Sequence, residues 1–275
     1  MRPTAAGRAA DDRRLHDHLA LVSRVGRLLV ATDFDGTLVG FEDDPDDVWL
    51  PEPAHDLLGR LARCPGTTVA VLSGRSLADL DRRLGGVPGL VRIGSHGAER
   101  SGAPLTLDAE RARLLGAVTG RLREIAGRCP GAWVETKPAS AVFHYRTADP
   151  SFVPGALEAV MQGPAAESGL HRRLGKDCVE LAVSRSTKGL ALADLRSEHR
   201  ADRVVFLGDD VTDEDGFLVL AFQDVGIKVG PGDTVAEHRV DSPDAALAVL
   251  EELLRMRELH SSGSAAEHDA GVQSA

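Results

Sequence analysis

The segment Asp33-Phe34-Asp35-Gly36-Thr37 closes an apolar run, Arg27–Phe34, with two carboxylates and a glycine. Such a run predicts a buried strand, and open α/β sheets hold their ligands at the carboxyl ends of strands. Two carboxylates two residues apart on an extended segment point to opposite faces; a sharp turn at Gly36 would bring both to one mouth. Ser73 closes a second apolar run with a hydroxyl able to donate to a phosphate oxygen. Lys188 opens a helical pattern, and a cation beside a helix N-terminus makes a site for anions. Gly208-Asp209-Asp210-Val211-Thr212-Asp213-Glu214-Asp215 closes a third run. Its plain structural reading is a solvated acidic loop with Asp213 as a helix N-cap. At the same sheet edge as Asp33 and Asp35, however, these acids would repel strongly unless a divalent cation joined them. Oxygen-only ligands favour magnesium.

Strands and helices must deliver these residues to one edge. Helices are expected at about Pro53–Arg63, with Leu57, Leu58 and Leu61 on one face, and at Leu77–Leu84 behind an N-cap at Ser76. Strands are expected at Thr67–Leu72 and Leu90–Ile93. Strand, loop, helix, strand in this cadence predicts a parallel sheet. The rhythm then changes: a long helix at Leu107–Ala126, a hairpin over Ala132–Arg146 turning near Pro138-Ala139-Ser140, a helix at Phe152–Met161, and a strand pair over His171–Val183. The α/β rhythm returns from Thr187, with strands at Arg203–Leu207 and Asp224–Val229, a helix at Asp213–Ala221 and a closing helix at Pro243–Arg257. The expected organisation is a polar N-terminal segment (1–19) able to form a short polar helix, a discontinuous core (20–98 and 184–258), an inserted α+β domain (99–183) and a disordered tail (259–275). Along the hairpin, alternation puts Glu135 and Lys137 on one face, and His144 and Arg146 likewise.

The order DxDGT, Ser, Lys, GDD resembles the haloacid dehalogenase superfamily of aspartate-nucleophile phosphohydrolases. That resemblance implies a Rossmann-like parallel-sheet core carrying an inserted cap domain. It implies that Asp33 attacks phosphorus to form an aspartyl-phosphate, that Asp35 is general acid and base, and that Ser73 and Lys188 neutralise the phosphoryl group. It also implies Mg2+ held by the Asp33 carboxylate, the Asp35 main-chain carbonyl and the Asp209 carboxylate, with Asp210 and Asp213 in support. Longer stretches are similar to trehalose-6-phosphate phosphatases: Ser73-Gly74-Arg75, Gly94–Glu99, Val134–Lys137, His144–Arg146, Lys176 with Glu180, Gly208–Asp215 and Gly226–Gly230. This narrower resemblance spans about Leu28–Leu254 and implies substrate contacts from Asp33, Asp35, Gly74, Arg75, Glu135, Lys137, Arg146, Lys176 and Glu180. Glu180 departs from the family pattern in being followed by Leu181-Ala182-Val183, and DGTL by Val39-Gly40-Phe41. Both changes keep a phosphatase of a related phosphosugar open, such as a pseudo-disaccharide, sucrose or glucosylglycerol phosphate.

Composition sets further limits. The 275 residues carry a net charge of −10, with 43% apolar and 4% aromatic residues. The acidic balance and scarcity of stacking residues argue against a nucleic-acid partner, and no apolar run is long enough to span a membrane. Met1–Ala20 lacks a secretory pattern, and Cys64, Cys129 and Cys178 are expected as reduced thiols of a cytoplasmic protein. The resemblance further implies a small sugar-phosphate substrate and coupling to a sugar-phosphate synthase, and a monomer is expected. His96 is expected as a hydrogen-bonding structural residue, and Trp49 and Trp133 as packing residues. A phospho-receiver domain also uses acids, Ser/Thr and Lys, but needs neither Asp35 nor the insertion.

Overall fold

The computed structural model describes residues 5–40, 47–103, 105–175 and 177–272, without the side chains of 5–10 and 261–272. The chain forms two units, 1–97 with 187–275, and 98–186.

The first unit holds α1 (Ala5–Val22), β1 (Leu28–Thr32), α2 (Glu52–Arg63), β2 (Thr67–Leu72), α3 (Leu77–Arg83) and β3 (Leu90–Gly94). After the second unit it resumes with α6 (Lys188–Glu198), β9 (Arg203–Gly208), α7 (Val211–Leu218), β10 (Val225–Val229), β11 (His238–Val240) and α8 (Pro243–Val272). Its strands lie in the order β11-β10-β9-β1-β2-β3, all parallel. Successive β1 residues bury to opposite sides. Leu28 and Val30 join Leu19 of α1, Leu58 and Leu61 of α2 and Leu250 of α8. Leu29 and Ala31 join Leu192 and Leu195 of α6 and Phe217 of α7. A strand covered on both faces must be apolar throughout, which is why LLVAT shows no alternation. The chain leaves β1 for β2 on one side and returns to β9 on the other, and Thr32 pairs with Val71 and Leu207. Asp33, Ser73 and Asp209 therefore emerge at one end of three adjacent strands, at the point where the strand order reverses.

The second unit begins with β4 (Glu99–Arg100), followed by α4 (Ala109–Ala126), β5 (Trp133–Lys137), β6 (Ser140–His144), α5 (Val153–Gln162), β7 (His171–Gly175) and β8 (Cys178–Ala182). The antiparallel sheet β5-β6-β8-β7 buries Ala141, Phe143, Val179 and Leu181 with Leu115, Val118 and Leu122 of α4 and Val160 of α5.

Several elements depart from the sequence expectation. The N-terminal segment is a packed helix: Leu15, Leu19 and Val22 are buried in the core, a stripe of three apolar residues diluted by the charges between them. Helix α7 starts at Val211, not at Asp213, because Asp210 is the N-cap of a capping box whose return partner is Asp213. Helix α8 runs to Val272, beyond Arg257 and into the expected tail, with no proline to stop it. Strands β4 and β11 are too short to leave a periodic signal. Arg146 lies past the end of β6, in a turn, so strand alternation does not govern it.

One side chain ties the layer outside β1 together. Arg257 of α8, 2% exposed, donates to Thr67 Oγ1 at 3.1 Å and to the carbonyls of Ser23, Val25 and Pro65 at 3.0, 2.6 and 2.5 Å. Arg257→Ala strips the buried Ser23 carbonyl and two partly buried ones of their donor and should lower stability by about 2–4 kcal/mol in urea unfolding. Arg257→Lys should recover only part of that, because an ammonium lacks the forked donor geometry.

Candidate active site

The end of β1 is built around a buried cation. Lys188, the first residue of α6, sits behind an N-cap at Thr187 whose side chain accepts from the Leu190 N–H. Its ammonium is 2% exposed and donates to Asp33 Oδ1 at 2.7 Å and to Asp213 Oδ1 at 2.8 Å. Asp213 Oδ2 in turn accepts the N–H groups of Asp209 and Asp210, each at 3.0 Å. Both oxygens of Asp213 are therefore occupied within the protein. Burial works against the charge on Lys188, but Asp213 and Asp33 outweigh it and hold the ammonium protonated. Burial pushes the Asp33 carboxyl up, against the pull of Lys188, and the charges of Asp213 and Asp209 add to the rise. The Asp209 carboxyl is likewise raised, to about 6, by burial and then by Asp213.

The carboxylates of Asp33, Asp209 and Asp213 approach within 4.8 Å of one another. With Asp213 committed to Lys188 and to two N–H groups, Asp33 and Asp209 are the oxygens that could hold a cation. Their raised pKa values show how poorly they tolerate two bare charges, so this donor set fits a hard divalent ion. Gly36 makes the approach possible: at φ +81 it turns the chain after Asp35, and a Cβ there would lie 2.2 Å from Asp209 Oδ2. Thr37 Oγ1 donates to Asp209 Oδ1 at 3.3 Å.

The remaining core candidates are distributed around this cluster. The Asp35 carboxylate is not part of it. Arg75 grips it bidentately, Nε to Oδ2 at 2.8 Å and Nη2 to Oδ1 at 2.7 Å, and also donates to Asp79. Burial opposes the Arg75 charge, but the two carboxylates raise its pKa. Ser73 is 1% exposed, and its Oγ accepts the Arg75 N–H at 3.1 Å. Gly74 lies against the His96 ring, where a Cβ would come within 2.6 Å. Ser95 and His96 both hold positive φ, 49 and 54, and the His96 N–H donates to the Ser73 carbonyl at 2.9 Å. Strained backbone is thus maintained right behind the Ser73 loop. Asp210 acts as the cap of α7.

Sequence reasoning assigned no role to Lys228. It is buried in β10, and its ammonium donates to the Asp209 carbonyl. A lysine in the middle of the buried strand Val-Gly-Ile-Lys-Val must meet a polar partner, and that was the available signal.

In the second unit, the face of β5-β6-β8-β7 opposite the helices is polar. Glu135 Oε2 lies 3.0 Å from His144 Nε2, and Trp133 stacks on His144 with ring centroids 4.1 Å apart. Burial would raise the Glu135 carboxyl, but the His144 hydrogen bond and Lys137 hold it below its ordinary value. Glu180 is buried and accepts from Ser140 Oγ at 2.6 Å, with Arg173 Nη1 at 3.5 Å. Arg173 is a second residue that the sequence did not single out; only the pairing of β7 with β8 places it opposite Glu180. Lys137 lies on the Glu135 side of β5, and Arg146 is exposed. Lys176 lies outside the described residues. Trp49 and Trp133 are both half-exposed, less packed than expected; Trp49 lies under the Arg83 guanidinium. The Leu181 that follows Glu180 points into the apolar layer, so that departure leaves Glu180 in place.

Comparison with known proteins bears on the whole arrangement. The family described as trehalose-phosphatase matches residues 31–246. A trehalose-phosphate phosphatase of Mycobacterium tuberculosis is 36% identical over 240 residues, covering 81% of this chain and 60% of the relative. A bifunctional trehalose-6-phosphate synthase/phosphatase of Thermoproteus tenax is 35% identical over 238 residues, covering 84% of this chain and 32% of the relative. The chain therefore spans between one third and three fifths of these relatives. The C-terminal domain of trehalose-6-phosphate phosphatase from C. albicans matches the fold with a TM-score of 0.73 at 23% identity, covering 88% of this chain and 96% of that one. The fold is shared with a haloacid dehalogenase-like hydrolase from Bacteroides thetaiotaomicron, with a TM-score of 0.57 at 15% identity, covering 81% of this chain and 98% of that one, and with the family match extending through both units, this chain belongs to the trehalose-phosphatase family.

Proposed function

We propose that this chain is a magnesium-dependent phosphatase hydrolysing trehalose 6-phosphate to trehalose and phosphate through an aspartyl-phosphate on Asp33. The observation that carries the proposal is the buried Asp33–Lys188–Asp213 constellation beside Asp209. A buried carboxylate held by one ammonium is fixed in direction and stripped of water, which suits a nucleophile. Lys188 neutralises charge on the phosphoryl group while staying protonated, and Ser73 donates from its hydroxyl. Asp35 protonates the leaving sugar oxygen and then takes the proton of the attacking water; Arg75 aims its carboxylate. Asp33 and Asp209 would hold Mg2+, with Lys228 fixing the Asp209 loop, and the ion would supply positive charge against the transferring phosphoryl oxygens. Glu135, Lys137, Arg146, Lys176 and Glu180 recognise the sugar hydroxyls, with Arg173 and Ser140 setting the Glu180 carboxylate.

A synthase fused to the phosphatase in the Thermoproteus relative supports a partner enzyme that supplies the phosphosugar. Three free cysteines accord with a cytoplasmic setting. Among the described residues, no helix is long and apolar enough to cross a membrane.

Asp33→Asn preserves shape and removes the attacking charge. Phosphate release from trehalose 6-phosphate should fall by at least roughly a thousandfold while the circular dichroism spectrum stays native. Turnover close to wild type would remove Asp33 from the chemistry. Chelation should abolish phosphate release and added magnesium restore it; full activity in a chelator would eliminate the metal from the reading.

The division of labour between the units is tested with two substrates. A lost hydrogen bond to a charged group costs about 1.5–3 kcal/mol, or roughly ten- to a hundredfold in kcat/KM. Glu135→Ala and Arg146→Ala should lose that much on trehalose 6-phosphate and almost nothing on a small aryl phosphate. Equal losses on both would assign these residues to the fold or the phosphate site; no loss on trehalose 6-phosphate would overturn the disaccharide reading, and a screen against sucrose 6-phosphate and glucosylglycerol phosphate would then identify the sugar.

A further inference from the structure

A second group of metal-ligand side chains lies away from the acidic cluster, where α1 meets the edge strand β11. His18 Nδ1 is 2.9 Å from His238 Nε2 and 3.8 Å from Glu237 Oε2, and the three ligand atoms fall within 4.8 Å of one another. The rings meet edge to face, at 85° with centroids 5.1 Å apart. His238 is 6% exposed, while His18 and Glu237 reach solvent.

We propose that His18, Glu237 and His238 form a binding site for a zinc-class divalent transition metal, a structural clip joining α1 to β11. Two imidazole nitrogens and one carboxylate select zinc, cobalt or nickel over magnesium and calcium, which take oxygen shells. A tetrahedral ion with Zn–N of about 2.0–2.1 Å holds its ligand nitrogens about 3.3 Å apart. From 2.9 Å the rings need to part by only a few tenths of an ångström. Glu237 Oε1 is already held by Arg14 Nη2 at 2.7 Å, which turns Oε2 towards His18. The Arg14 charge opposes the ion, and Asp11, also near His238, offsets it. Three protein ligands leave a fourth position to water. The clip joins residues 220 positions apart in sequence, and closing so long a loop stabilises the folded chain against its unfolded ensemble.

The test uses the full chain, stripped of metal and held in excess magnesium, with zinc followed by calorimetry and cobalt by its visible absorption. One zinc per chain, intense cobalt bands typical of nitrogen ligation and a rising Tm with zinc concentration are expected. The same stoichiometry is expected in Asp209→Asn, which separates this site from the acidic cluster and keeps the result independent of the proposed reaction. His18→Ala alters a partly exposed residue and so spares the fold; it should weaken zinc binding by at least roughly tenfold and abolish the rise in Tm. Glu237→Gln should weaken binding less. Equal zinc affinity in wild type and His18→Ala, loss of the zinc in Asp209→Asn, or no binding by wild type would each overturn the proposal.

Discussion

The acidic cluster at the carboxyl edge of the core sheet depends on one ammonium held between two buried carboxylates. Lys188 cannot be buried alone, and Asp33 and Asp213 cannot be buried together without it. The three residues come from the start of α6, the end of β1 and the first turn of α7, so one ion-pair network sets the spacing of three elements. Asp213 extends it by accepting the N–H groups of Asp209 and Asp210, which fixes the loop after β9. Lys228 closes the loop from the other side through the Asp209 carbonyl. Burial and then the Asp213 charge raise the Asp209 carboxyl within this arrangement.

The same economy appears at Asp35. Its carboxylate is held by the forked guanidinium of Arg75, which also binds Asp79, and Asp79 binds Arg82 and Arg83. Burial would raise the Asp79 carboxyl, but these guanidinium groups hold it low. Arg75 is thereby locked by α3, and Asp35 by Arg75. The second unit uses a different device. An antiparallel sheet with helices on one face leaves the other to polar side chains, and Glu135 with His144 and Glu180 with Ser140 and Arg173 occupy it as hydrogen-bonded sets.

Much of this was legible from local pattern. Thr67–Leu72 was placed to the residue as β2, and Ser76 is the cap of α3, accepting from the Asp79 N–H. The change of rhythm after Glu99 marked the antiparallel region, strand ends pointed to Asp33, Ser73 and Asp209, and a helix start to Lys188. These signals are short-range: runs of apolar residues, caps and turns that depend on a few neighbours in sequence.

What the chain order determined by itself was which residues stand at strand ends and which carry charge into apolar surroundings. What only the tertiary structure decided was which of them meet. Nothing in the sequence says that Lys188 lies between Asp33 and Asp213, that Arg75 takes Asp35, that Arg173 faces Glu180, or that His18 finds His238 220 positions away. Such pairs follow from strand order, register and helix docking, which arise from burial summed over the whole core and not from any local window. The reassignment of Asp213 from helix cap to partner of Lys188 shows the difference. Its local role as the return partner of a capping box is real, but its other oxygen is claimed by a residue that only the folded sheet brings near.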